Sequence, residues 1–303
     1  MKTQELIVLG AGPAGITAAV YAVRKQIDLL VITQDIGGQA ALSGDVENYT
    51  GYQFITGPEL AHKFQEHMES FGINVLMPQK VVAVGRRDKL LTVTTDKGQH
   101  LTKSLIIATG KRSRELKVVG EKEYKNKGLT YCAICDGPLF KGKNVAIIGG
   151  GNSGLDAAMQ MMKISPKVYV IDREKSVKGD AIMFAKLKTA GNVEFISDAI
   201  VKKVYGDNFV RGIEIEQTSR PRQLAVEGVF VEIGLIPNSE YAGVLKRNEC
   251  GEIVVDCHNR TNVEGVFAAG DVTNVPEKQI IIACGEGSKA SLSAFKYLAS
   301  LPL

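Results

Sequence analysis

Two cysteines separated by two residues, Cys132 and Cys135, are the side chains of this sequence with the clearest chemical potential. A C-x-x-C pair can close a small disulfide ring, and its spacing lowers the pKa of one thiol, so that a thiolate is available near neutral pH. Asp136 follows the pair and could deliver and remove the proton that thiolate chemistry requires. The segment predicts reversible disulfide exchange. Structural zinc, for which the other cysteines supply no second C-x-x-C, and two idle thiols are the alternative interpretations.

A glycine-rich turn near the N-terminus suggests what could exchange electrons with such a disulfide. Residues 6–9 have the apolar character of a buried strand, and residues 10–15 read G-x-G-x-x-G before a helix-like run. In this motif Gly10 permits the tight turn, Gly12 lets the backbone approach a pyrophosphate, and Gly15 allows the helix to pack on the strand. The pyrophosphate lies at the helix N-terminus, where unpaired N–H groups favour an anion. The turn therefore predicts a dinucleotide site.

The same glycine pattern recurs at residues 149–154, again after a short apolar run and before a helix-like segment. The repetition implies two nucleotide sites of one construction, with the cysteine pair between them in the sequence. One site would suit a flavin dinucleotide and the other a nicotinamide dinucleotide. This combination is much more specific than either turn, because flavin can pass electrons from a hydride donor to a disulfide.

The two nucleotide units differ in the residue that follows their second strand. In the first unit this residue is Thr33, where an acid usually contacts the ribose, so ribose contact is left open there. In the second unit Asp172 follows an apolar run at 168–171, where a carboxylate can accept from the ribose 2′-hydroxyl of NAD(H) and repel the 2′-phosphate of NADP(H). Arg173 and Lys178 are basic neighbours that could still bind a phosphate. A solvated strand end is the alternative interpretation of Asp172.

Length and composition bound the class of protein. With 303 residues, 23% charged residues and a net charge of +4, the chain is expected to form two globular domains, and nucleic acid is not an expected partner. No apolar stretch reaches the ~18 residues of a membrane span. The N-terminus lacks the layout of a secretory signal peptide, so we expect a cytoplasmic protein whose cysteine pair cycles between its redox states.

The alternation of apolar runs and helix-like segments predicts an α/β protein. Segments at 81–84 and 90–94 predict a small antiparallel insertion, and residues 105–110 predict a strand that returns the chain to the first parallel sheet. A domain boundary is expected near Arg112. Residues 266–271 predict a buried strand that ends in Gly-Asp before the last helix, an arrangement that suits the ribityl and ring ends of a flavin.

On these residues the chain resembles the low-molecular-weight thioredoxin reductases along nearly its whole length. A closer similarity is to the C-terminal part of the flavoprotein subunit of alkyl hydroperoxide reductase, through residues 135–142 and 279–283. We expect this chain to act without the N-terminal thioredoxin-like domains of that relative, with a separate small disulfide protein in their place. The segments that carry the family resemblance, in the family's order, are residues 10–15, 47–49, 108–110, 132–136 and 269–271.

The resemblance implies two Rossmann-like, doubly wound, three-layer domains, the second inserted into the first, in a homodimer. The FAD-binding domain would comprise residues 1–112 and 246–303, and the NAD(P)H-binding domain, residues 113–245, would carry the cysteine pair. The smaller domain would rotate between two states about hinges near Arg112 and Lys246.

The resemblance also implies an activity. Electrons would pass from NADH or NADPH through FAD and the Cys132–Cys135 disulfide to thioredoxin or a glutaredoxin-like protein. Cys135 would lie against the flavin, Cys132 would attack the partner's disulfide, and Asp136 would act as acid and base. NADPH-using members carry a basic His-Arg-Arg stretch where this chain has Asp172-Arg173-Glu174, whereas the peroxide-reductase relative carries an acid and favours NADH, so NADH is favoured here.

The candidate cofactor-binding residues form two groups, one for each dinucleotide. The flavin group comprises Gly10, Gly12, Pro13, Ala14, Gly15, Gly38, Gln39, Asn48, Val81, Ala108, Thr109, Gly110, Gly270, Asp271, Gln279 and Ile280. The nicotinamide group comprises Gly149, Gly151, Asn152, Ser153, Gly154, Asp172, Arg173, Lys178 and Gly234. Three alternative functions stay open: a ferredoxin- or deazaflavin-dependent member without a working nicotinamide site, a flavin NAD(P)H oxidase or ferredoxin reductase without disulfide chemistry, and a non-enzymatic nucleotide-sensing module.

Overall fold

The computed structural model describes residues 3–43 and 45–302, and the chain divides into two units. Unit 1 comprises Met1–Arg112 and Ile236–Leu303, and unit 2 comprises Ser113–Leu235. The second crossing lies at 235/236 and not at the expected 245/246. The reason is packing, because Ala242 and Leu245 are buried in a hydrophobic core of unit 1.

The strands and helices are numbered in chain order through both units. Their bounds are β1 (Thr3–Ala11), α1 (Pro13–Arg24), β2 (Leu29–Ile36), α2 (Gly38–Ala41), β3 (Asp45–Val46), β4 (Ile55–Thr56), α3 (Gly57–Ser70), β5 (Asn74–Leu76), β6 (Val81–Arg87), β7 (Leu90–Thr95), β8 (Gly98–Ile107), β9 (Lys111–Ser113), α4 (Glu121–Tyr124), β10 (Leu129–Thr130), α5 (Ala133–Asp136), β11 (Val145–Ile148), α6 (Asn152–Met161), β12 (Val168–Ile171), α7 (Ala181–Lys188), β13 (Val193–Ile196), β14 (Ala199–Gly206), β15 (Val210–Gln217), β16 (Arg220–Ala225), β17 (Gly228–Val231), β18 (Leu235–Pro237), β19 (Val266–Ala268) and α8 (Ile280–Ser300), with 3₁₀ turns at Gly137–Phe140 and Gly270–Val272.

The main sheet of unit 1 has the strand order β5-β2-β1-β8-β7-β6, and β19 also pairs with β8. Strands β5, β2, β1, β8 and β19 are parallel, whereas β7 and β6 continue the sheet in antiparallel pairing. The strand predicted at 105–110 is the end of β8, which already begins at Gly98. The predicted antiparallel insertion is therefore an extension of the main sheet.

Strand β1 lies at the centre of unit 1 because both of its faces are apolar. Leu6 and Val8 belong to the core cluster that includes residues of α1 and α8, whereas Ile7 and Leu9 belong to the cluster on the other face. A strand that is covered on both faces has a continuous apolar sequence, which is what this segment shows. The end of β1 and the glycine turn are thus held between two packed layers.

Unit 2 repeats this construction on a smaller scale. Its parallel sheet has the order β10-β17-β11-β12-β13, and β14, β15 and β16 form a separate antiparallel sheet. Helix α6 connects β11 to β12, and Leu155, Ala158 and Met161 on its inner face are buried in the core. The fold therefore places the second glycine turn at the carboxyl end of β11, the equivalent of the first turn at the end of β1.

Candidate functional site

The first glycine turn joins β1 to α1, and packing explains two of its three glycines. Gly10 has φ +98°, and a Cβ atom there would lie 2.4 Å from the carbonyl oxygen of Ala108. A Cβ atom at Gly15 would lie 1.9 Å from the carbonyl oxygen of Gly10. Gly12 differs, since a Cβ atom there would meet nothing closer than 4.0 Å. The packing of the chain itself does not require this glycine, so the backbone at Gly12 is open to a ligand, as a pyrophosphate site needs.

The turn opens into a cavity of about 1090 Å³, whose lining residues all belong to unit 1. Ligand pockets usually measure about 300–1,000 Å³, so this cavity is large enough for a dinucleotide. The predicted flavin-binding residues that line it are Gly10, Gly12, Pro13, Ala14, Gly38, Gln39, Val81, Ala108, Thr109, Gly110, Gly270, Asp271, Gln279 and Ile280.

The two other predicted flavin residues support the cavity without lining it. Gly15 packs α1 against Gly10, as described above. The amide Nδ2 of Asn48 donates to Oε1 of Gln279 at 3.1 Å, and Gln279 is the N-cap residue of α8. Asn48 therefore orients a lining side chain at the start of a helix, where backbone N–H groups are unpaired.

Near the end of β2, the side chain of Thr33 is used in hydrogen bonds within the protein. Thr33 Oγ1 accepts from the N–H of Ala11 at 3.2 Å and donates to the carbonyl oxygen of Asp35 at 2.6 Å. Its hydroxyl therefore joins β2 to β1. Asp35 lines the cavity with an exposed side chain, so an acid is available two residues beyond the position that the fingerprint indicates. Asp35 is not among the residues predicted from the sequence.

The disulfide segment lies in unit 2, and one hydroxyl organises it. Cys132 is disulfide-bonded, and its N–H donates to Thr130 Oγ1 at 3.2 Å. Thr130 Oγ1 donates in turn to Oδ2 of Asp136, and the N–H of Asp136 donates to the carbonyl oxygen of Cys132 at 3.2 Å. The side chain of Cys135 lies outside the described residues. Thr130 therefore fixes the carboxylate of Asp136 beside the backbone of Cys132. Thr130 lies two residues before Cys132, a spacing that is usual for hydroxyl-to-backbone hydrogen bonds, and this spacing is the sequence signal that could have identified it.

Asp136 and Thr130 also line a second cavity, of about 400 Å³, whose lining residues all belong to unit 2. Leu139 and Phe209 contribute apolar side chains to its wall, although these are 69% and 58% exposed. Both side chains are therefore accessible to a partner or ligand. The acid next to Cys132 is thus reachable from an amphipathic depression.

The second glycine turn reproduces the packing of the first. A Cβ atom at Gly149 would lie 2.2 Å from the carbonyl oxygen of Glu232, and one at Gly154 would lie 2.0 Å from that of Gly149. A Cβ atom at Gly151 would meet nothing within 4 Å, so the middle glycine is again open to a ligand. Gly234, with φ +92°, likewise has open space around it.

Two predicted nicotinamide residues on α6 differ in their surroundings. Asn152 Oδ1 accepts from the N–H of Asp180 at 2.8 Å, and Asp180 is the N-cap residue of α7. The side chain of Asn152 therefore positions α7 next to the turn. Ser153 is exposed at the start of α6.

Asp172 stands against the second glycine turn, at the end of β12. A Cβ atom at Gly150 would lie 2.1 Å from Asp172 Oδ2, and Asp172 Oδ1 accepts from the N–H of Glu174 at 3.0 Å. The predicted basic neighbours are both paired with Glu174, Arg173 Nε at 3.4 Å and Lys178 Nζ at 3.4 Å. Glu174, which the sequence analysis did not assign to the site, thus competes for the two cations that could bind a phosphate.

Comparison with known proteins places this geometry in a family. Residues 4–287 match the family described as pyridine nucleotide-disulphide oxidoreductase. The chain belongs to this family. Its relatives include the F component of the alkyl hydroperoxide reductase of Pseudomonas aeruginosa, 43% identical over 302 residues, and a protein of Ferdinandcohnia aciditolerans named NADH dehydrogenase, 43% identical over 298 residues. These alignments cover 97% of this chain but only 58% and 57% of the two relatives.

Solved structures of thioredoxin reductases share the fold over the whole chain. The enzyme of Lactococcus lactis aligns with a TM-score of 0.87 and 32% identity over 99% of this chain and 100% of its own. That of T. acidophilum aligns with a TM-score of 0.83 and 36% identity over 98% and 99%. The predicted resemblance and the predicted fold of two Rossmann-like domains are confirmed.

The family implies FAD and NAD(P)H, and the residues of this chain fit both. Each unit has a glycine turn whose middle glycine is free of packing contacts, at the start of a helix. Among the residues described, no three His, Cys, Asp or Glu side chains gather as a metal site. Within the same ranges, the helices are too short or too polar to span a membrane.

Proposed function

We propose that this protein is an FAD-dependent disulfide reductase of the thioredoxin reductase type. Unit 1 would bind FAD and unit 2 would bind NAD(P)H, with NADH favoured. The electrons would pass through FAD and the Cys132–Cys135 disulfide to thioredoxin or a glutaredoxin-like protein. The observation that carries the proposal is the hydrogen-bond network in which the Thr130 hydroxyl links the carboxylate of Asp136 to the backbone of the disulfide-bonded Cys132, in the same unit as an open glycine turn.

The dinucleotides would be held by the two glycine turns. The backbone at Gly12 and at Gly151 accepts close approach of a pyrophosphate, and the N-termini of α1 and α6 supply unpaired N–H groups and the positive end of a helix dipole. FAD, when bound, supplies the step that converts hydride transfer into two-electron reduction of a disulfide. Asp35 would bind the ribose of the nucleotide in unit 1, and Asp172 that of the nucleotide in unit 2.

The disulfide segment would then reduce the partner by thiol–disulfide exchange. The thiolate of Cys132 attacks one sulfur of the partner disulfide, forming a mixed disulfide and releasing the other sulfur as a thiolate. Cys135 resolves the mixed disulfide, so that the partner leaves with two thiols and the Cys132–Cys135 bond forms again. Asp136 would give a proton to the thiolate that leaves from the partner disulfide and recover a proton from the Cys135 thiol as it attacks the mixed disulfide. Thr130 keeps that carboxylate at the backbone of Cys132.

A protein partner suits the surroundings of Asp136 better than a small disulfide does. The depression that contains Asp136 is bordered by the exposed apolar side chains of Leu139 and Phe209. The similar solved structures from Lactococcus lactis and T. acidophilum are thioredoxin reductases, which supports a partner of that type. The homodimer, the cytoplasmic location and the rotation of unit 2 stay predictions.

The proposal is tested by turnover of a panel of thioredoxins and glutaredoxin-like proteins with NADH, NADPH or reduced ferredoxin as donor. Cys132→Ser should abolish reduction of the partner while FAD remains bound and is still reduced by the nucleotide. Cys250→Ser is the matched control, because Cys250 is an exposed free cysteine. Unchanged partner reduction by Cys132→Ser would refute the relay. If the protein accepts electrons only from reduced ferredoxin, then ferredoxin and not NAD(P)H is the donor.

A further inference from the structure

Two lysines that line the unit 1 cavity share one carboxylate. Lys111 Nζ lies 2.9 Å from Oε1 of Glu252, and Lys278 Nζ lies 3.1 Å from the same oxygen. The side chains of Lys111, Lys278 and Glu252 are only 13%, 24% and 14% exposed. Asn248 Nδ2 donates to the other oxygen of Glu252 at 2.8 Å, and Lys278 Nζ also donates to the carbonyl oxygen of Thr273 at 2.6 Å. The cluster is therefore fixed by hydrogen bonds and largely withdrawn from water.

The charge of this cluster depends on Lys111. Burial opposes ionisation of Glu252, but hydrogen bonds from Lys111, Asn248 and Lys278 lower its pKa to about 2, so it is ionised at neutral pH. Asp271 lines the same cavity; burial raises its pKa, and Lys278 and Lys111 oppose the increase. With Asp271 ionised, two lysines balance two carboxylates. Without Lys111 the group would carry a net negative charge.

The strand order indicates which half of a bound dinucleotide would lie near this cluster. Strands β2 and β8 lie on opposite sides of β1, so their carboxyl ends flank the glycine turn that would hold the pyrophosphate. The nucleoside half belongs at the end of β2, where the fingerprint places the ribose contact. The other half, which in FAD carries the redox-active ring, would then lie towards the end of β8. Lys111 follows β8 closely, and Lys278 precedes α8 on the same cavity wall.

We propose that Lys111 and Glu252 are opposed charge-setting residues of the flavin site, Lys111 favouring and Glu252 disfavouring the reduced, electron-rich ring. This inference deepens the proposed function and depends on FAD binding in unit 1. Two-electron reduction adds negative charge to the ring unless two protons accompany the electrons. A nearby ammonium group stabilises that charge and a carboxylate opposes it, and both effects are stronger where water is excluded.

The test is an anaerobic titration of bound FAD with dithionite against an indicator dye of known potential, using the FAD-loaded full chain. Lys111→Met should lower the ratio of reduced to oxidised FAD at fixed potential by at least about tenfold, which equals ~30 mV for a two-electron couple. Glu252→Gln should raise this ratio, and the double substitution should return it towards the wild-type value. Lys289→Met is the matched control, since Lys289 pairs with Glu286 on α8 and is not a lining residue.

The outcomes separate this inference from the proposed function. Loss of FAD from the wild-type protein would overturn both. The inference alone is overturned if FAD binds normally but Lys111→Met changes the ratio of reduced to oxidised FAD at fixed potential by less than about tenfold. It is also overturned if both single variants change this ratio in the same direction. If the cluster had a purely structural role, the double variant would depart further from the wild-type ratio of reduced to oxidised FAD than either single variant. Charge compensation predicts instead that the double variant returns towards the wild-type ratio. If Lys111→Met fails to fold, Glu252→Gln still decides the matter, because its shift has a required sign.

Discussion

The preference between NADH and NADPH can be tested by removing one charge from the end of β12. Asp172→Asn keeps the shape of the side chain, and its Oδ1 can still accept from the N–H of Glu174, so the turn against Gly150 should be preserved. The substitution removes the carboxylate that would accept from a ribose 2′-hydroxyl and repel a 2′-phosphate. We therefore expect kcat/KM to fall for NADH and to rise for NADPH.

The expected size follows from Coulomb's law and the exposure of the site. Two unit charges ~4 Å apart interact by about 4 kcal/mol at an effective dielectric of about 20. Asp172 is half-buried, so salt and solvent reduce this repulsion, and we expect about 1–2 kcal/mol, which is roughly a 5- to 30-fold change in relative kcat/KM. Arg173 and Lys178 offset little of it in the wild type, because both are exposed and both are paired with Glu174.

A second variant tests the competing role of Glu174. Glu174→Gln should release Arg173 and Lys178 and raise kcat/KM for NADPH severalfold, with little change for NADH. Asp207→Asn is the control. Asp207 is an exposed carboxylate whose Oδ2 lies 3.0 Å from Nε of Arg211, and it is distant from the glycine turn in the sequence.

The assay is anaerobic stopped-flow reduction of the bound flavin by each nucleotide. Faster reduction of the wild-type protein by NADPH would refute the assignment of Asp172, as would an unchanged nucleotide ratio in Asp172→Asn. Reduction by neither nucleotide would favour a ferredoxin-type donor.

Three further predictions concern single residues. Asp136→Asn should slow reoxidation of the reduced protein by its disulfide partner by a factor on the order of 10², with FAD still bound, because a positioned acid and base is lost. Rapid mixing of the reduced protein with the partner measures this rate, and a wild-type rate would exclude the acid–base role of Asp136. Burial raises the pKa of Glu232 from 4.5 to about 7, so the folded state loses stability as pH rises through this interval. Glu232→Gln should therefore leave the urea-unfolding free energy unchanged near pH 4 and increase it by at most about 3 kcal/mol near pH 8, while an equal effect at both pH values would contradict the linkage. Gly12→Val should leave the circular dichroism spectrum intact, since Gly12 has an ordinary φ of −80°, but should reduce FAD retention at least tenfold; retained FAD would refute the open-backbone argument.

Local patterns were sufficient to predict the parts of the fold that local sequence determines. The apolar runs that form β1 and β11, and the glycine turns after them, are each encoded within about a dozen residues, as strand and turn signals usually are. The family resemblance predicts the second domain boundary at 245/246, whereas residues 236–245 belong to unit 1. Their assignment depends on Ala242 and Leu245 packing on a sheet whose strands lie far away in the sequence.

The side chains that the sequence analysis missed are those whose role depends on a distant partner. Lys111 and Glu252 are 141 positions apart, and nothing near either residue indicates the ion pair. Thr33 departs from the fingerprint in the sequence, but only the fold shows that its hydroxyl is used in bonds to Ala11 and Asp35. Periodicity predicts which elements form, whereas pairings between polar side chains require the three-dimensional fold.

The most direct test of the central claim is a thiol count on the FAD-loaded protein before and after anaerobic reduction by NADH. The chain has 5 cysteines, of which Cys250, Cys257 and Cys284 are free. The relay predicts three reactive thiols per denatured chain before reduction and five after it, and no increase when FAD has been removed. A flavin that is fully reduced by NADH while the count stays at three would contradict the transfer of electrons from flavin to the Cys132 disulfide.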